Sequence, residues 1–342
     1  MTGHLTRKRL VRLGAVVAAG VIATSLAACS SDDSSDDSNG GSGSGTEVKL
    51  GYFPNLTHAS AIVGIDKGYF KDALADDGAS LKTLDFNSGS DTIDALNNGD
   101  LNATYIGPSP AITAFADSQN VSVISGATSG GASLVVNKDI KSPDDLAGKT
   151  LATPGPGNTQ DVALKYWLKQ QGYDVSPDGQ GDVTVVNQDN SLTVQAFGQG
   201  QIDGAWLPEP YASLLIDEGA TKLVDEKDLW PDGQFVTTHL IVATKFLKDH
   251  PDAVKRLIEG QVAANDYIAK NPDDAKKVIN DGITKYTGKG IAPIVIDAAW
   301  KNLTFTNDPV ASSLVASAKH AEEVGLLKPT KLDGIYLSLI HI

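Results

Sequence analysis

Cysteine is almost absent from this 342-residue chain. Cys29 is the only one, so no disulfide can form within the chain and the fold must stand on its core. Positive charge is scarce too, with 28 Lys and Arg against 42 Asp and Glu. That balance argues against nucleic acid as a partner and against a domain held to an anionic membrane surface. It leaves a small anionic ligand open, because local dipoles override a distant net charge. The signatures of catalysis are missing as well. The six histidines, His4, His58, His239, His250, His320 and His341, form no His-x-His or His-x₃-His pair, so no zinc site is expected. There is no Gly-x-Ser-x-Gly elbow and no Walker loop, since Gly155-Pro-Gly157 lacks the lysine. His58 and His239 could each act as a general base, yet spacing ties no nucleophile to either. An enzyme is the minor alternative, and neither metal nor cofactor is expected.

The N-terminus carries an address. Arg7, Lys8, Arg9 and Arg12 precede a small apolar run from Leu13 to Leu26, and Leu26-Ala27-Ala28-Cys29 follows. This resembles a bacterial lipoprotein signal, cleaved before Cys29, whose thiol is then acylated. A membrane-spanning anchor is disfavoured because the run is shorter than the roughly 20 residues a span needs. Residues 30–46 contain only Ser, Asp, Asn, Gly and Thr and read as a disordered tether between membrane and domain. Without the four cations of the signal, 24 basic residues face 42 acidic ones, a formal charge of −18. What remains from Glu47 is long enough for two lobes with real cores.

Two stretches 101 residues apart follow one plan. Thr92 to Gly107 and Thr193 to Pro208 align Ile93 with Val194, Leu96 with Phe197, Leu101 with Ile202, Tyr105 with Trp206 and Ile106 with Leu207. Each reads as a short helix, a stopping glycine (Gly99, Gly200) and a buried strand. Each strand ends at a Pro-x-Pro, Pro108-Ser-Pro110 or Pro208-Glu-Pro210, where the ladder cannot continue. One such unit per half suggests two similar lobes facing a shared cleft.

Strand and helix patterns alternate along the rest of the chain, the mark of an α/β fold. Strands are expected at Val48–Phe53, Leu81–Phe86, Val121–Ser125, Ser133–Val136, Thr150–Thr153 and Phe235–Ala243. Helices are expected at Ala59–Lys67, Asp161–Gln171, His250–Ala269, Asp273–Asp281, Pro293–Asn302 and Val310–Val324. Hydroxyl and amide side chains collect where strands give way to helices: Asn55, Thr57 and His58; Ser88 and Ser90; Ser109; Asn158, Thr159 and Gln160. Helix N-termini carry free N–H groups and about half a positive charge, so such junctions can cradle an anion. Each residue alone could equally be an N-cap. Four junctions, shared between the halves, favour a ligand site without charged side chains, suited to a small oxyanion that must be released again.

The segments Gly51-Tyr-Phe-Pro54, Phe86-Asn-Ser-Gly-Ser90, Ile106-Gly-Pro-Ser-Pro-Ala111, Gly157-Asn-Thr-Gln160 and Ile202-Asp-Gly-Ala-Trp-Leu-Pro-Glu-Pro210 resemble those of substrate-binding lipoproteins of ABC importers, in the aliphatic sulfonate, taurine and nitrate branch. The resemblance runs from about Val48 to Val324. It implies a type II periplasmic-binding-protein fold, two α/β lobes with a ligand cleft between them. The implied division is 1–28 signal peptide, 29–46 tether, 47–135 first part of lobe 1, 136–240 lobe 2, and 241–342 second part of lobe 1. Crossovers are expected near Val135–Lys138 and His239–Val242. The family's pocket positions fall on Asn55, Ser88, Ser90, Ser109, Asn158, Thr159 and the Trp206–Glu209 corner, with Thr57, His58, Gln160 and His239 as further candidates. The implied partners are a small anionic or zwitterionic solute, the ABC permease subunits, and the membrane through a lipid on Cys29, with the receptor monomeric. A sulfonate would offer three oxygens to the cradle and a tail to Trp206, Tyr211 and Phe53. Nitrate would need no room for a tail, and a thiamine-precursor pyrimidine would need stacking and carboxylates. Glu209 either faces the cleft, where it could pair with taurine's ammonium, or sits at the N-terminus of the helix from Tyr211. The end, Ile335 to Ile342, is apolar where the family turns polar, and its last six residues are not expected to belong to the fold.

Overall fold

The computed structural model describes residues 45–337. Cys29, the signal peptide, nearly all of the tether and residues 338–342 lie outside the described residues. Thr46, the last residue of the expected tether, is already tied down, its carbonyl accepting from the Ser80 N–H at 2.9 Å. Leu337, the first of the six expected to lie apart, donates its N–H to the Val123 carbonyl at 3.0 Å.

The strands are β1 Glu47–Tyr52, β2 Ser80–Asp85, β3 Ala103–Ile106, β4 Val121–Gly130, β5 Ala132–Val136, β6 Thr150–Thr153, β7 Thr184–Asn187, β8 Gly204–Pro208, β9 Thr221–Asp225, β10 Val236–Ala243 and β11 Leu303–Phe305. The helices are α1 Ala59–Asp66, α2 Tyr69–Ala75, α3 Gly89–Asn97, α4 Pro108–Ser118, α5 Thr159–Gln170, α6 Asn190–Gly198, α7 Tyr211–Asp217, α8 Thr244–Asp249, α9 Pro251–Lys270, α10 Pro272–Thr287, α11 Pro293–Trp300 and α12 Ala311–Glu323. They build two mixed sheets, one ordered β11-β4-β10-β3-β1-β2 and the other β7-β6-β8-β5-β9. The central β3 and β8 are buried along their whole length, as strands covered on both faces must be.

The repeat extends beyond the two helix–strand units. In the first sheet Leu50 pairs with Ala103 and Gly51 with Thr104; in the second Leu151 pairs with Gly204 and Ala152 with Ala205. Every residue of the second set lies 101 positions after its counterpart in the first. Each lobe is thus a β-α-β-α-β unit closed by an antiparallel strand, β10 against β3 and β5 against β8.

The crossovers fall earlier than the sequence suggests. The chain leaves the first sheet at Gly130–Gly131, both left-handed (φ 79° and 77°), and Ala132 already pairs with Pro208. Two successive positive φ values turn the strand out of its sheet, and only glycine adopts them without strain. The return comes between Asp225 and Val236, through turns at Glu226–Leu229 and Pro231–Gly233. The expected crossover segments are therefore the end of β5 and the middle of β10. After β10, helices α8 and α9 pack on the first sheet, with Val254 and Leu257 of α9 in one core with Val48, Leu50 and Tyr105. The terminal α12 reaches the second lobe as well, where His320 stacks on Tyr166 of α5 at 3.7 Å.

Candidate functional site: an uncharged cavity ringed by helix starts

A cavity of about 40 Å³ lies between the sheets, at the ends of β1, β3, β6 and β8. Four α-helices begin at its wall: Gly89 opens α3, Gly107 and Pro110 flank the start of α4, Asn158 to Gln160 start α5, and Asn190 starts α6. A 3-10 turn, Leu56–His58, adds Asn55, Thr57 and His58. Among the described residues, no Asp, Glu, Lys or Arg lines the cavity. A helix start carries roughly half a positive charge on unpaired N–H groups, so α3, α5 and α6 make the wall electropositive without a cation; α4, opening on Pro108 and Pro110, adds only the Ser109 N–H. At α5 the Thr159 and Gln160 N–H groups have no hydrogen-bond partner among the described residues. Neither Asn158 nor Ser88 caps its helix through its side chain.

The lobes meet closely here. A β-carbon on Gly107 would lie 2.3 Å from Thr159 Oγ1, and one on Gly89 would lie 2.7 Å from Asn158 Oδ1. Glycine at both positions lets the start of α5 approach the first lobe.

Side-chain chemistry is set by local bonds. The Phe53 N–H donates to His58 Nδ1 at 3.1 Å, and the two rings stack at 4.7 Å. That bond leaves Nε2 carrying the proton, so neutral His58 is a donor. Burial pushes its pKa down to about 3. Thr57 Oγ1 donates to Asn55 Oδ1 at 2.7 Å, which frees the Asn55 amide N–H groups. Thr159 Oγ1 and Asn190 Oδ1 are buried with no partner among the described residues, a rare condition for polar atoms unless a ligand supplies it.

Of the residues singled out from sequence, the structure brings Asn55, Thr57, His58, Asn158, Thr159 and Gln160 to this wall. Ser88 and Ser90 hydrogen-bond each other at 2.7 Å, and Ser90 lines a flanking groove of about 250 Å³. That groove shares Gly89, Pro110 and Asn158 with the cavity. Ser109 is buried behind the wall, its hydroxyl without a partner among the described residues. Trp206 lies in the second lobe's core and donates Nε1–H to Glu226 Oε2 at 2.7 Å. Glu209 accepts from the Ser213 N–H (3.1 Å) and from Asn302 Nδ2 (2.6 Å), so it serves the N-terminus of α7. Burial raises its pKa against the pull of Asn302 and Ser213. His239 is buried in β10, Nε2 bonded to the Pro309 carbonyl at 2.9 Å, its pKa lowered to about 4 by burial. These last three line no part of the cavity because tertiary partners hold each of them elsewhere.

Sequence reasoning missed Asn87, Thr237 and Asn190. Thr237 enters from β10, where its hydroxyl donates to the Gly130 carbonyl. Asn190 had a signal in the repeat, since it stands 101 residues after Gly89, and both line the cavity. Phe53 with Pro154 and Gly107 with Pro208 are further wall residues at that same spacing.

Known proteins share this architecture. The alkanesulfonate-binding protein SsuA of Xanthomonas axonopodis pv. citri, solved bound to MOPS, superposes with a TM-score of 0.70 at 16% identity, over 85% of this chain and 98% of that one. The periplasmic nitrate-binding protein NrtA of Synechocystis PCC 6803 does so with a TM-score of 0.68 at 15% identity, over 86% of each chain. At such identities the likeness carries the fold alone, which is the type II periplasmic-binding-protein fold. The taurine-binding periplasmic protein of Escherichia coli K12 is 30% identical over 201 residues, 57% of this chain and 60% of that relative's length. Residues 41–280 match the model of the NMT1-like family, and that stretch takes in both copies of the repeat and every wall residue of the cavity. The chain belongs to the NMT1-like family.

Proposed function

We propose that this protein is the extracytoplasmic solute receptor of an ABC importer, that it captures a small organic anion, and that it delivers the anion unchanged to the permease. An aliphatic sulfonate or taurine is the favoured solute. One observation carries the proposal: four helix starts and, among the described residues, no charged side chain surround a small cavity between the two lobes. Dipoles and hydrogen bonds hold an oxyanion there and release it when the lobes part, whereas a buried Arg or Lys would hold it more tightly. The Thr159 hydroxyl, the Thr159 and Gln160 N–H groups, the Asn55 amide and His58 Nε2 are the donors assigned to its oxygens. The taurine-binding relative and the sulfonate-binding neighbour support the class.

The groove sharing Gly89, Pro110 and Asn158 with the cavity gives a tail somewhere to go, which favours a sulfonate. The cavity's small volume is what favours nitrate as the second reading. A pyrimidine finds little support, since no carboxylate among the described residues lines the wall and its two aromatic rings, Phe53 and His58, are already stacked on each other. The membrane anchor assigned to this receptor is a lipid on Cys29. A thermal-shift panel of alkanesulfonates, taurine, nitrate and hydroxymethylpyrimidine on the protein from Glu47 onward tests the class. A bound solute raises the apparent Tm by mass action. A shift with sulfonates or taurine is expected; a shift with the pyrimidine alone, or chemical turnover of a bound solute seen by mass spectrometry, would overturn the proposal.

A further inference from the structure

Beneath the start of α5 lies an ion pair that the cavity does not touch. Asp161 and Lys165 are 0% and 1% exposed, with Lys165 Nζ 2.9 Å from Asp161 Oδ2. The carboxylate is fully engaged. Thr153 Oγ1 donates to Oδ1 at 3.0 Å and Asn187 Nδ2 donates to it at 2.9 Å, while the Gly157 N–H donates to Oδ2 at 2.9 Å. Lys165 also donates to the Pro177 carbonyl at 2.8 Å. The pair thus joins the ends of β6 and β7 and the turn before α5, through Asp161, to the loop after it, through Lys165.

An acidic residue in a first helical turn usually faces the helix's own free N–H groups and neutralises them. Asp161 instead bonds Gly157, which precedes the helix, and Thr159 and Gln160 keep their N–H groups free. Its negative charge would oppose an anion just above it, and Lys165 cancels that charge. The first lobe has no such pair at the corresponding positions, Ser60 and Gly64, where Ser60 Oγ donates to Asn265 Oδ1 at 2.5 Å. At this position the pair is therefore particular to the second lobe.

We propose that Asp161 and Lys165 are positioning residues for anion capture: Asp161 fixes the 154–158 turn so that the start of α5 stays open to the ligand, and Lys165 removes the charge penalty of doing so. The proposal rests on the receptor function above, and its test separates the two. Calorimetry at pH 8 with methanesulfonate as the probe compares the wild-type chain, Lys165→Met and Asp161→Asn/Lys165→Met. Lys165→Met leaves an uncompensated buried carboxylate and should weaken binding about tenfold or more, because like charges are then juxtaposed. The neutral double variant keeps an acceptor for Gly157 and should recover affinity to within about threefold, even if its stability stays low. That rescue is a result a merely structural role would not give. A double variant as weak as the single one, or a single variant with wild-type affinity, would overturn the proposal. A second measurement needs no variant. Hydrogen exchange on the ligand-free wild-type protein should find the Gly157 amide as protected as the β6 amides; exchange at loop rates would show that the turn is not held, and would also overturn it. Failure of the wild type to bind any anion would instead strike the receptor function and leave the exchange result to decide the turn.

Discussion

Thr159 concentrates the site's chemistry in one side chain. Its hydroxyl is buried without a partner among the described residues, at the start of a helix whose Asn158 makes no side-chain cap. Were it a cap, Thr159→Ala would cost about 1 kcal/mol of stability. With no capping bond to lose, the variant should melt close to the wild type. It should lose roughly 1.5–3 kcal/mol of anion binding, the range for a hydrogen bond to a charged group, or about tenfold in affinity or more. Ser90→Ala is the internal control. Its hydroxyl is exposed and bonded to Ser88, so affinity should change little. Calorimetry on both variants checks the pair of outcomes, and the reverse ranking would move the site away from α5.

At the level of elements, the end of β8 shows how tertiary partners reassign residues. Trp206 aligns with Tyr105 in the repeat, and both are fully buried. Tyr105 donates its hydroxyl to Gln261, as Trp206 donates its indole N–H to Glu226. The alignment therefore marked equivalent core positions in the two lobes, and Trp206 is no wall residue. Burial pushes Glu226 up to about 7, with the indoles of Trp206 and Trp230 pulling the other way. Its folded pKa exceeds its unfolded one, so the native state keeps a proton that the unfolded chain gives up. Stability from this group is greatest below about 4.5 and falls as pH rises to about 7, then levels. Glu226→Gln should remove that slope and be more stable than the wild type at pH 8, by roughly 3 kcal/mol at most. Denaturant melts of both proteins at pH 5 and pH 8 measure it, and parallel profiles would contradict the assignment.

The elements themselves were largely legible, because strand and helix periods alternate and Gly99 and Gly200 end the repeat helices at positive φ. The junction residues of β1 and β6 were legible for the same reason, as a strand end followed by a helix start is a local pattern. What was not legible depends on distant chain. Glu209 is held by Asn302, His239 by the carbonyl of Pro309, and Trp206 by an acid twenty residues on. The crossovers were placed late because the apolar runs of β5 and β10 carry no mark of which sheet they join; the mark lay just ahead of them, in Gly130–Gly131 and Pro231–Gly233.

Across the whole molecule, two opposed facts must hold together. The chain is strongly acidic, yet its central cavity is ringed by four helix starts and, among the described residues, by no charged side chain. Surface charges are screened over about 10 Å at ordinary ionic strength, while helix starts act at contact distance. The internal repeat explains the geometry: two related lobes present matching strand ends and helix starts, so donors converge from both sides. Binding should therefore depend on the ligand's charge, with molecules of equal size told apart by it. The most direct measurement is calorimetry of the protein with methanesulfonate and with dimethyl sulfone, a neutral molecule of similar shape. Heat of binding with methanesulfonate and none with dimethyl sulfone is the result expected of a dipole-lined anion cradle. Equal binding of the two, or binding of the sulfone alone, would contradict it.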